Sequence, residues 1–263
     1  MSVAVRGIPA ALFGSAVARR TALTEWDAAI RGILPTARRI GFVSLEPGVG
    51  TTTLALQVLR IIAARRSDPV LAVDVAGGGS DLAARLQLAA TPADATRAGA
   101  RTTAEALTGL PAGPGWYGLR PSTADGPVAA WLTEAAPITR FFDVTITDFG
   151  VRHPRVDLAA CAAVSDVVCL VGDARRSPAE LLRAIAPAVA ALPESPTPVL
   201  ALVDREGRGD AVARAMGDDP WPVVGIPADG GLRDGGQPRG QAGQHALLRL
   251  AATLVSAREA VAL

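Results

Sequence analysis

Short apolar runs recur along the chain and are separated by segments whose apolar residues follow helical spacing. Apolar runs without polar alternation are typical of strands in a parallel sheet, which helices cover on both faces. The alternation of the two patterns predicts a single α/β domain. The predicted strands are residues 40–45, 70–75, 116–120, 141–150, 165–171, 198–203 and 221–226. The predicted helices are residues 21–33, 51–66, 81–86, 103–107, 126–135, 156–163, 177–192, 210–216 and 245–258.

A glycine turn joins the first of these strands to a helix that begins near Thr51. This layout is typical of a loop that binds phosphate, because backbone N–H groups and the helix N-terminus converge on an anion. The usual motif ends in Gly-Lys-Ser/Thr, with the lysine on the phosphates and the hydroxyl on magnesium. Here Thr51 stands at the lysine position and Thr52 keeps the hydroxyl. The candidate contacts are Gly48, Val49, Gly50, Thr51, Thr52 and Thr53.

The loop resembles that of the ParA/MinD family of P-loop ATPases, Lys-Gly-Gly-x-Gly-Lys-Thr-Thr. The segment Glu46-Pro47-Gly48-Val49-Gly50-Thr51-Thr52-Thr53 keeps the last two glycines and both threonines, but has neither lysine. No lysine occurs anywhere in the sequence, where all 26 basic residues are arginine. The resemblance implies a three-layer α/β/α fold with a mostly parallel central sheet, the P-loop NTPase fold. It would span residues 39–263 and follow a helical extension at residues 1–38.

Acidic residues at strand ends extend the resemblance. Asp74 matches the first acid of the family's Asp-x-Asp segment, whereas Ala76 replaces the second, which orients the attacking water. Asp148 resembles the acid that supports magnesium, so Thr52 and Asp148 are the candidate metal ligands. Without a nucleotide role, Asp148 would only accept hydrogen bonds from nearby N–H groups. Asp204 stands where the family often has an asparagine that recognises the base.

These substitutions predict a pseudo-ATPase without catalytic residues. Phosphoryl transfer needs positive charge at the phosphates and an oriented water. Here both lysines are lost and Glu46 adds a carboxylate. Two like charges about 4 Å apart, such as this carboxylate and a phosphate oxygen, repel each other by about 4 kcal/mol. ATP or ADP with magnesium would bind weakly at best. The chain would instead act as a scaffold, localisation or regulatory subunit through a protein partner or an active paralogue, in a homo- or heterodimer.

Within the family, the N-terminal extension and the divergent loop are similar to those of members associated with actinobacterial type VII secretion. They are also similar to those of atypical members that localise pilus machinery. This similarity predicts a role in positioning other proteins.

Two alternatives stay open at this stage. In the first, an arginine such as Arg38, Arg39 or one from a partner replaces the lysine, and the protein binds or hydrolyses nucleotide. In the second, the glycine turn belongs to a dinucleotide site, where Asp74 would hold a ribose hydroxyl. That motif expects a third glycine, and Thr53 occupies its position.

The composition excludes other classes. A net charge of +1 gives no strong attraction for nucleic acid. Cys161 and Cys169 lie in an apolar stretch and are expected to be buried thiols, and His153 and His245 are too few for a metal centre. No apolar run reaches the length of a membrane span and no signal-peptide pattern is present, which predicts a cytoplasmic protein.

Overall fold

A computed structural model describes residues 10–77, 81–207, 211–216 and 219–257, with the side chains of all of these except 10–16 and 211. Within these residues the strands form one eight-stranded sheet in the order β3-β4-β2-β5-β1-β6-β7-β8. All neighbouring strands are parallel except β3 and β4. The strands are β1 (Arg38–Ser44), β2 (Val70–Asp74), β3 (Ala112–Gly113), β4 (Trp116–Leu119), β5 (Val144–Val151), β6 (Val167–Asp173), β7 (Thr197–Val203) and β8 (Val223–Ile226).

Helices cover both faces of the sheet and complete the predicted three-layer α/β/α architecture. The helices are α1 (Ala10–Arg31), α2 (Thr51–Ala63), α3 (Leu82–Leu86), α4 (Ala95–Ala98), α5 (Thr103–Ala106), α6 (Pro127–Ala130), α7 (Ala136–Thr139), α8 (Leu158–Ala163), α9 (Arg176–Ala190), α10 (Ala211–Ala215), α11 (Gly230–Arg233) and α12 (Gln241–Ser256). A π-helical turn, Trp131–Ala135, joins α6 to α7. None of the described helices is long and apolar enough to cross a membrane.

Two apolar cores fix the layers. One lies between the sheet and the helices α1, α2 and α12, and the other lies under α8, α9 and the segment that contains Trp131. Leu54 and Leu247 belong to the first core, and Leu158 and Leu182 to the second. Cys161 and Cys169 are buried free thiols, as expected, and burial raises the pKa of both. The small aliphatic residues that dominate the sequence therefore fill both sides of the sheet.

All seven predicted strands are present, with ends shifted by three residues at most. The short strand β3 was not predicted, because its two residues have no apolar pattern and gain their place by antiparallel pairing with β4. Residues 126–139 form α6, a π turn and α7 in place of one predicted helix that ends at 135. The predicted cap of α3 is supplied by Asp81, whose carboxylate accepts from Ala84 N at 2.8 Å.

Two predicted helix starts were wrong. The segment Ser177-Pro178-Ala179-Glu180 predicts a helix start with a serine cap and a glutamate that reaches back to it. This capping box does not form, because α9 begins at Arg176 and Glu180 accepts from Arg176 Nε at 2.7 Å. The polar residues 237–243 predict a loop before the closing helix, but α12 begins inside them at Gln241. The predicted helical positions Asp210 and Arg258 lie outside the described residues.

The first helix packs on the same face of the sheet as α2 and α12. Ile30 is fully buried there, and Asp27 accepts hydrogen bonds from Arg31 and from Arg65 at the end of α2. The guanidinium of Arg66 also donates to the carbonyls of Ile30 and Gly32. The boundary between residues 1–38 and 39–263 stays a prediction. We propose that α1 is an integral part of the folded domain.

Replacing Ile30 with alanine tests this proposal. Loss of a fully buried isoleucine is expected to lower the free energy of unfolding by about 2–5 kcal/mol, because it removes apolar contacts and leaves a cavity. Val17→Ala is the control, since Val17 on the same helix is 65% exposed and should change stability by about 0.5 kcal/mol at most. Urea unfolding followed by circular dichroism measures both variants. Equal stability of the two would mean that α1 is not part of the cooperative unit.

Candidate functional site

The glycine turn between β1 and α2 has the backbone geometry of a phosphate-binding loop. Gly48 and Gly50 adopt φ angles of +74° and +99°, and a Cβ at either would meet nothing within 4 Å. Glycine is therefore required by the backbone conformation and not by lack of space. Gly50 is the N-cap of α2 and has no side chain to satisfy the first-turn N–H groups. These groups are free to bind an anion in front of the loop.

Thr52 and Asp148, the two predicted metal ligands, are in direct contact. Thr52 Oγ1 donates a hydrogen bond of 2.6 Å to Asp148 Oδ2, and Gly150 N donates one of 2.9 Å to Oδ1. Asp148 is fully buried, and this burial raises the pKa of its carboxyl although both hydrogen bonds oppose the shift. The loop is thereby attached to the end of β5.

These two residues fit a magnesium ion that arrives with a nucleotide. The described residues contain no cluster of three or more His, Cys, Asp or Glu side chains that could hold a metal alone. Magnesium is usually bound through one or two carboxylates, a few waters and the substrate phosphates. Thr52 lines the cavity and its hydroxyl would be one ligand of such an ion, while the buried Asp148 behind it accepts the hydroxyl proton in a hydrogen bond.

Asp74 organises a neighbouring loop instead of lining a cavity. It pairs in register with Asp148 across β2 and β5, and its carboxylate accepts from Ala76 N at 3.1 Å and Ala83 N at 2.6 Å. Burial raises the pKa of Asp74 to about 6, with a smaller contribution from the charge of Asp148, although the hydrogen bonds from Ala83 and Ala76 oppose the shift. Arg152 fixes the same segment by donating to the carbonyl of Val75 at 2.8 Å. Asp74 therefore shapes the backbone that carries Ala76.

A cavity of about 760 Å³ opens in front of the loop at the carboxyl edge of the sheet. Asp74, Asp148 and Glu46 are absent from its lining, and the repulsion expected between Glu46 and a phosphate stays a prediction. The predicted residues that line it are Gly48, Val49, Gly50, Thr51, Thr52, Thr53 and Asp204. The other lining residues are Ser44, Leu54, Arg85, Gly150, Val151, Asp173, Arg175, Val203, Arg205, Glu206, Ile226, Pro227, Ala228, Asp229, Leu232 and Arg233.

Carboxylates at the far end of the cavity are engaged in shaping its loops. Asp204 Oδ1 accepts from Glu206 N and Gly207 N at the end of β7. Asp229 accepts from the N–H groups of Gly231, Leu232, Arg239 and Gly240. Burial opposes ionisation of Asp229, but these N–H groups outweigh it and hold its pKa below the usual value. Asp204, which was predicted to lie near the base of a nucleotide, thus lines the cavity and stabilises the loop that follows β7.

Sequence reasoning missed the cationic part of the lining, Arg85, Arg175, Arg205 and Arg233. No motif marks these arginines, because they come from separate loops and short helices that only the fold brings together. Asp173 and Asp229 were detectable in principle. Asp173 ends a buried strand, and Asp229 closes a Gly-Ile-Pro-Ala-Asp segment similar to the family's Ile-Pro-x-Asp.

Arg38 and Arg39, proposed as substitutes for the lysine, lie at the wrong end of β1. Six residue-to-residue steps of extended strand lead from Arg38 to Ser44, a length of about 20 Å. Arg39 is also committed to Asp166, with its Nη2 2.8 Å from Oδ1 and its Nε 3.2 Å from Oδ2. Neither guanidinium of this chain can serve its own loop.

The strand order argues against the dinucleotide alternative. In the dinucleotide-binding fold, the strand after the glycine turn pairs with the strand before it, which brings the acid to the ribose. Here β5 lies between β1 and β2. Asp74 is therefore one strand further from the turn, and its carboxylate is occupied by two backbone N–H groups.

Solved structures with the same architecture are P-loop ATPases. The cell division ATPase MinD of Pyrococcus furiosus superposes with a TM-score of 0.61 at 19% identity, over 85% of this chain and 100% of that chain. A ParA family ATPase from Chlorobium tepidum gives 0.59 at 18%, over 82% and 98%. The MinC:MinD cell division complex of Aquifex aeolicus gives 0.60 at 16%, over 86% and 96%. No protein-family model and no curated protein sequence matches the chain.

The chain therefore has the MinD/ParA P-loop NTPase fold. Identities below 20% establish the fold, so what the protein does has to be argued from its own site.

The raised pKa of Asp74 predicts a pH-dependent stability. Between its ordinary pKa of 3.8 and its folded pKa of about 6, the folded state binds more protons than the unfolded state. The free energy of unfolding should thus fall as the pH rises from about 4 to about 6, by up to about 3 kcal/mol from this group. Asp74→Asn should make the profile flatter over this range, whereas Asp125→Asn on an exposed loop should not. Urea unfolding at several pH values measures the slopes, and equal slopes for wild type and Asp74→Asn would contradict the assignment.

Proposed function

We propose that this protein is a pseudo-ATPase that binds a magnesium nucleotide without hydrolysing it and acts through protein contacts. One observation carries the proposal. The glycine loop and the Thr52–Asp148 pair keep the geometry of a nucleotide site, while Thr51 and Ala76 stand at the positions of the lysine and the water-orienting acid.

Retention of the binding geometry supports nucleotide binding. An unused loop would have no need of two glycines with positive φ or of a fully buried carboxylate beneath the helix N-terminus. A buried carboxylate costs several kcal/mol unless it is hydrogen-bonded. Asp148 receives these hydrogen bonds from Thr52 and Gly150 and does not line the cavity, so in this proposal Thr52 faces the magnesium ion and Asp148 holds its hydroxyl in place.

The substitutions support the absence of turnover. The lysine of this motif places a positive charge where phosphate oxygens develop charge, and loss of one such group typically lowers a rate by a factor of about 100–1,000. Ala76 has no group that can orient a water, and its main-chain carbonyl accepts from Arg152 at 3.3 Å. The lysine acts on the phosphate and the acid acts on the water, so losing both should lower the rate of hydrolysis more than losing either one.

A protein that binds nucleotide without turnover would serve as a fixed scaffold or as one half of a heterodimer. MinD of Aquifex aeolicus has been solved in complex with MinC, which is a precedent for protein partners on this fold. A cytoplasmic location, and roles near secretion or pilus machinery, stay predictions. An active enzyme that uses an arginine is the second candidate, favoured by the arginines that line the cavity.

Calorimetric titration combined with a phosphate-release assay tests the main proposal. Wild-type protein is expected to bind Mg-ADP and Mg-ATP and to release phosphate no faster than buffer. Thr52→Val should weaken binding of the magnesium nucleotide about tenfold or more, because the hydroxyl is lost. Thr52→Ser keeps the hydroxyl and is the matched control. Phosphate release that disappears in Asp148→Asn would show an active enzyme and refute the proposal.

Restoring the missing groups provides a second test. Thr51→Lys combined with Ala76→Asp should raise phosphate release above the wild-type background, because it returns the phosphate cation and the water-orienting acid together. Each single variant should gain less than the pair, since hydrolysis needs both groups. Melting temperatures identify variants that fail to fold. A well-folded double variant that binds nucleotide but stays inert would mean that other features of the site prevent turnover.

A further inference from the structure

Arg85 lies at the end of the cavity formed by the glycine loop. It belongs to α3, is half-buried, and lines the cavity beside the first turn of α2. Its Nη1 donates to Thr53 Oγ1 at 3.0 Å and, over a longer distance of 3.4 Å, to the carbonyl of Gly235. The guanidinium is therefore fixed next to the N–H groups of the α2 N-terminus.

The loop that contains Gly235 and Gly236 leaves room for the Arg85 side chain. Gly235 has a φ of +74°, and a Cβ there would lie 2.6 Å from Arg85 Nη1, so a side chain at this position would displace the guanidinium. The next residue of the loop is anchored to α2, because the buried Gln57 donates through Nε2 to the carbonyl of Gly236 at 2.9 Å. Arg85 thus packs against a backbone segment that is anchored to α2.

The other arginines of the cavity are arranged differently. Arg175 forms an ion pair with Asp173, with 3.0 Å between its Nε and the carboxylate. Arg205, in the loop after β7, and Arg233, at the end of α11, are exposed, and Arg233 Nη2 donates to the carbonyl of Arg205. Within the described part of the chain Arg85 has no acidic partner, and its Nε and Nη2 make no hydrogen bond. Its charge and these donors are available to a ligand.

We infer that Arg85 supplies the positive charge that a phosphate-binding loop normally takes from its lysine. In this role the guanidinium contacts the phosphoryl groups of a nucleoside di- or triphosphate seated on the first-turn N–H groups of α2. A planar guanidinium is suited to phosphate because it offers parallel N–H donors and stays charged. The inference rests on the proposed nucleotide binding but not on the absence of turnover, because a cation fixed beside Thr53 can bind phosphate whether or not hydrolysis follows.

Titration of the full chain with Mg-ADP and with inorganic triphosphate tests this role. Arg85→Ala is expected to weaken binding of both ligands by about ten- to a hundredfold, the range for loss of a hydrogen bond to a charged group. Arg85→Lys should recover part of the affinity. Arg155→Ala removes an equal charge from an exposed position outside the cavity and should bind like wild type. The affinity of Arg85→Ala should also depend less steeply on salt.

The outcomes separate this inference from the proposed function. Wild-type affinity for both ligands in a well-folded Arg85→Ala protein would overturn the role of Arg85 alone. Equal weakening by Arg85→Ala and Arg155→Ala would also overturn it, because the effect would then be one of net charge. Phosphate release by wild type would refute the pseudo-ATPase proposal and leave the Arg85 result intact. No binding of either ligand to wild type would refute both.

Discussion

The hydrogen bond between Thr52 and Asp148 is the interaction on which the site depends. It connects the start of α2 to the end of β5 at 2.6 Å, and the carboxylate it supports is fully buried. Without that donor the chain would bury a poorly compensated charge, which is among the most destabilising changes a core can undergo. The position of the glycine loop is therefore set by the cost of desolvating one acid. This attachment does not involve the side chain at position 51, so the shape of the loop does not depend on a lysine there.

The charged groups around the glycine loop differ from those of the usual phosphate-binding motif, which carries a lysine. Position 51 carries a hydroxyl in place of an ammonium, and one cation that lines the cavity comes from α3, which contacts α2 through Arg85 and Thr53. A backbone cradle needs only glycines and a helix N-terminus, so it can be retained while the charge is supplied from elsewhere. Binding and hydrolysis place separate demands on the site, since hydrolysis also needs an oriented water. In the proposed function, binding relies on the glycine turn and on Arg85, whereas Ala76 has no side-chain group that could orient a water.

The carboxyl edge of the sheet concentrates acids whose roles are mainly structural. Asp74, Asp204 and Asp229 each accept at least two backbone N–H groups from the loops that follow their strands. Loops at this edge would otherwise leave polar backbone groups without partners. These hydrogen bonds fix the walls of the cavity before any ligand arrives. Burying an acid makes its ionisation less favourable. At Asp74, burial beside Asp148 raises the pKa of the carboxyl to about 6.

The sequence by itself determined the strands, the glycine turn and the acid at the end of β5, because buried parallel strands and glycines with positive φ leave local patterns. It also determined what was missing, since no lysine occurs anywhere in the chain. Only the tertiary structure decided which side chains share the cavity. It separated Arg38 and Arg39 from the loop by the length of β1, placed β5 between β1 and β2, and brought Arg85 to Thr53 across 32 positions of sequence. Contacts of this kind depend on strand order and helix packing, which no local pattern of residues encodes.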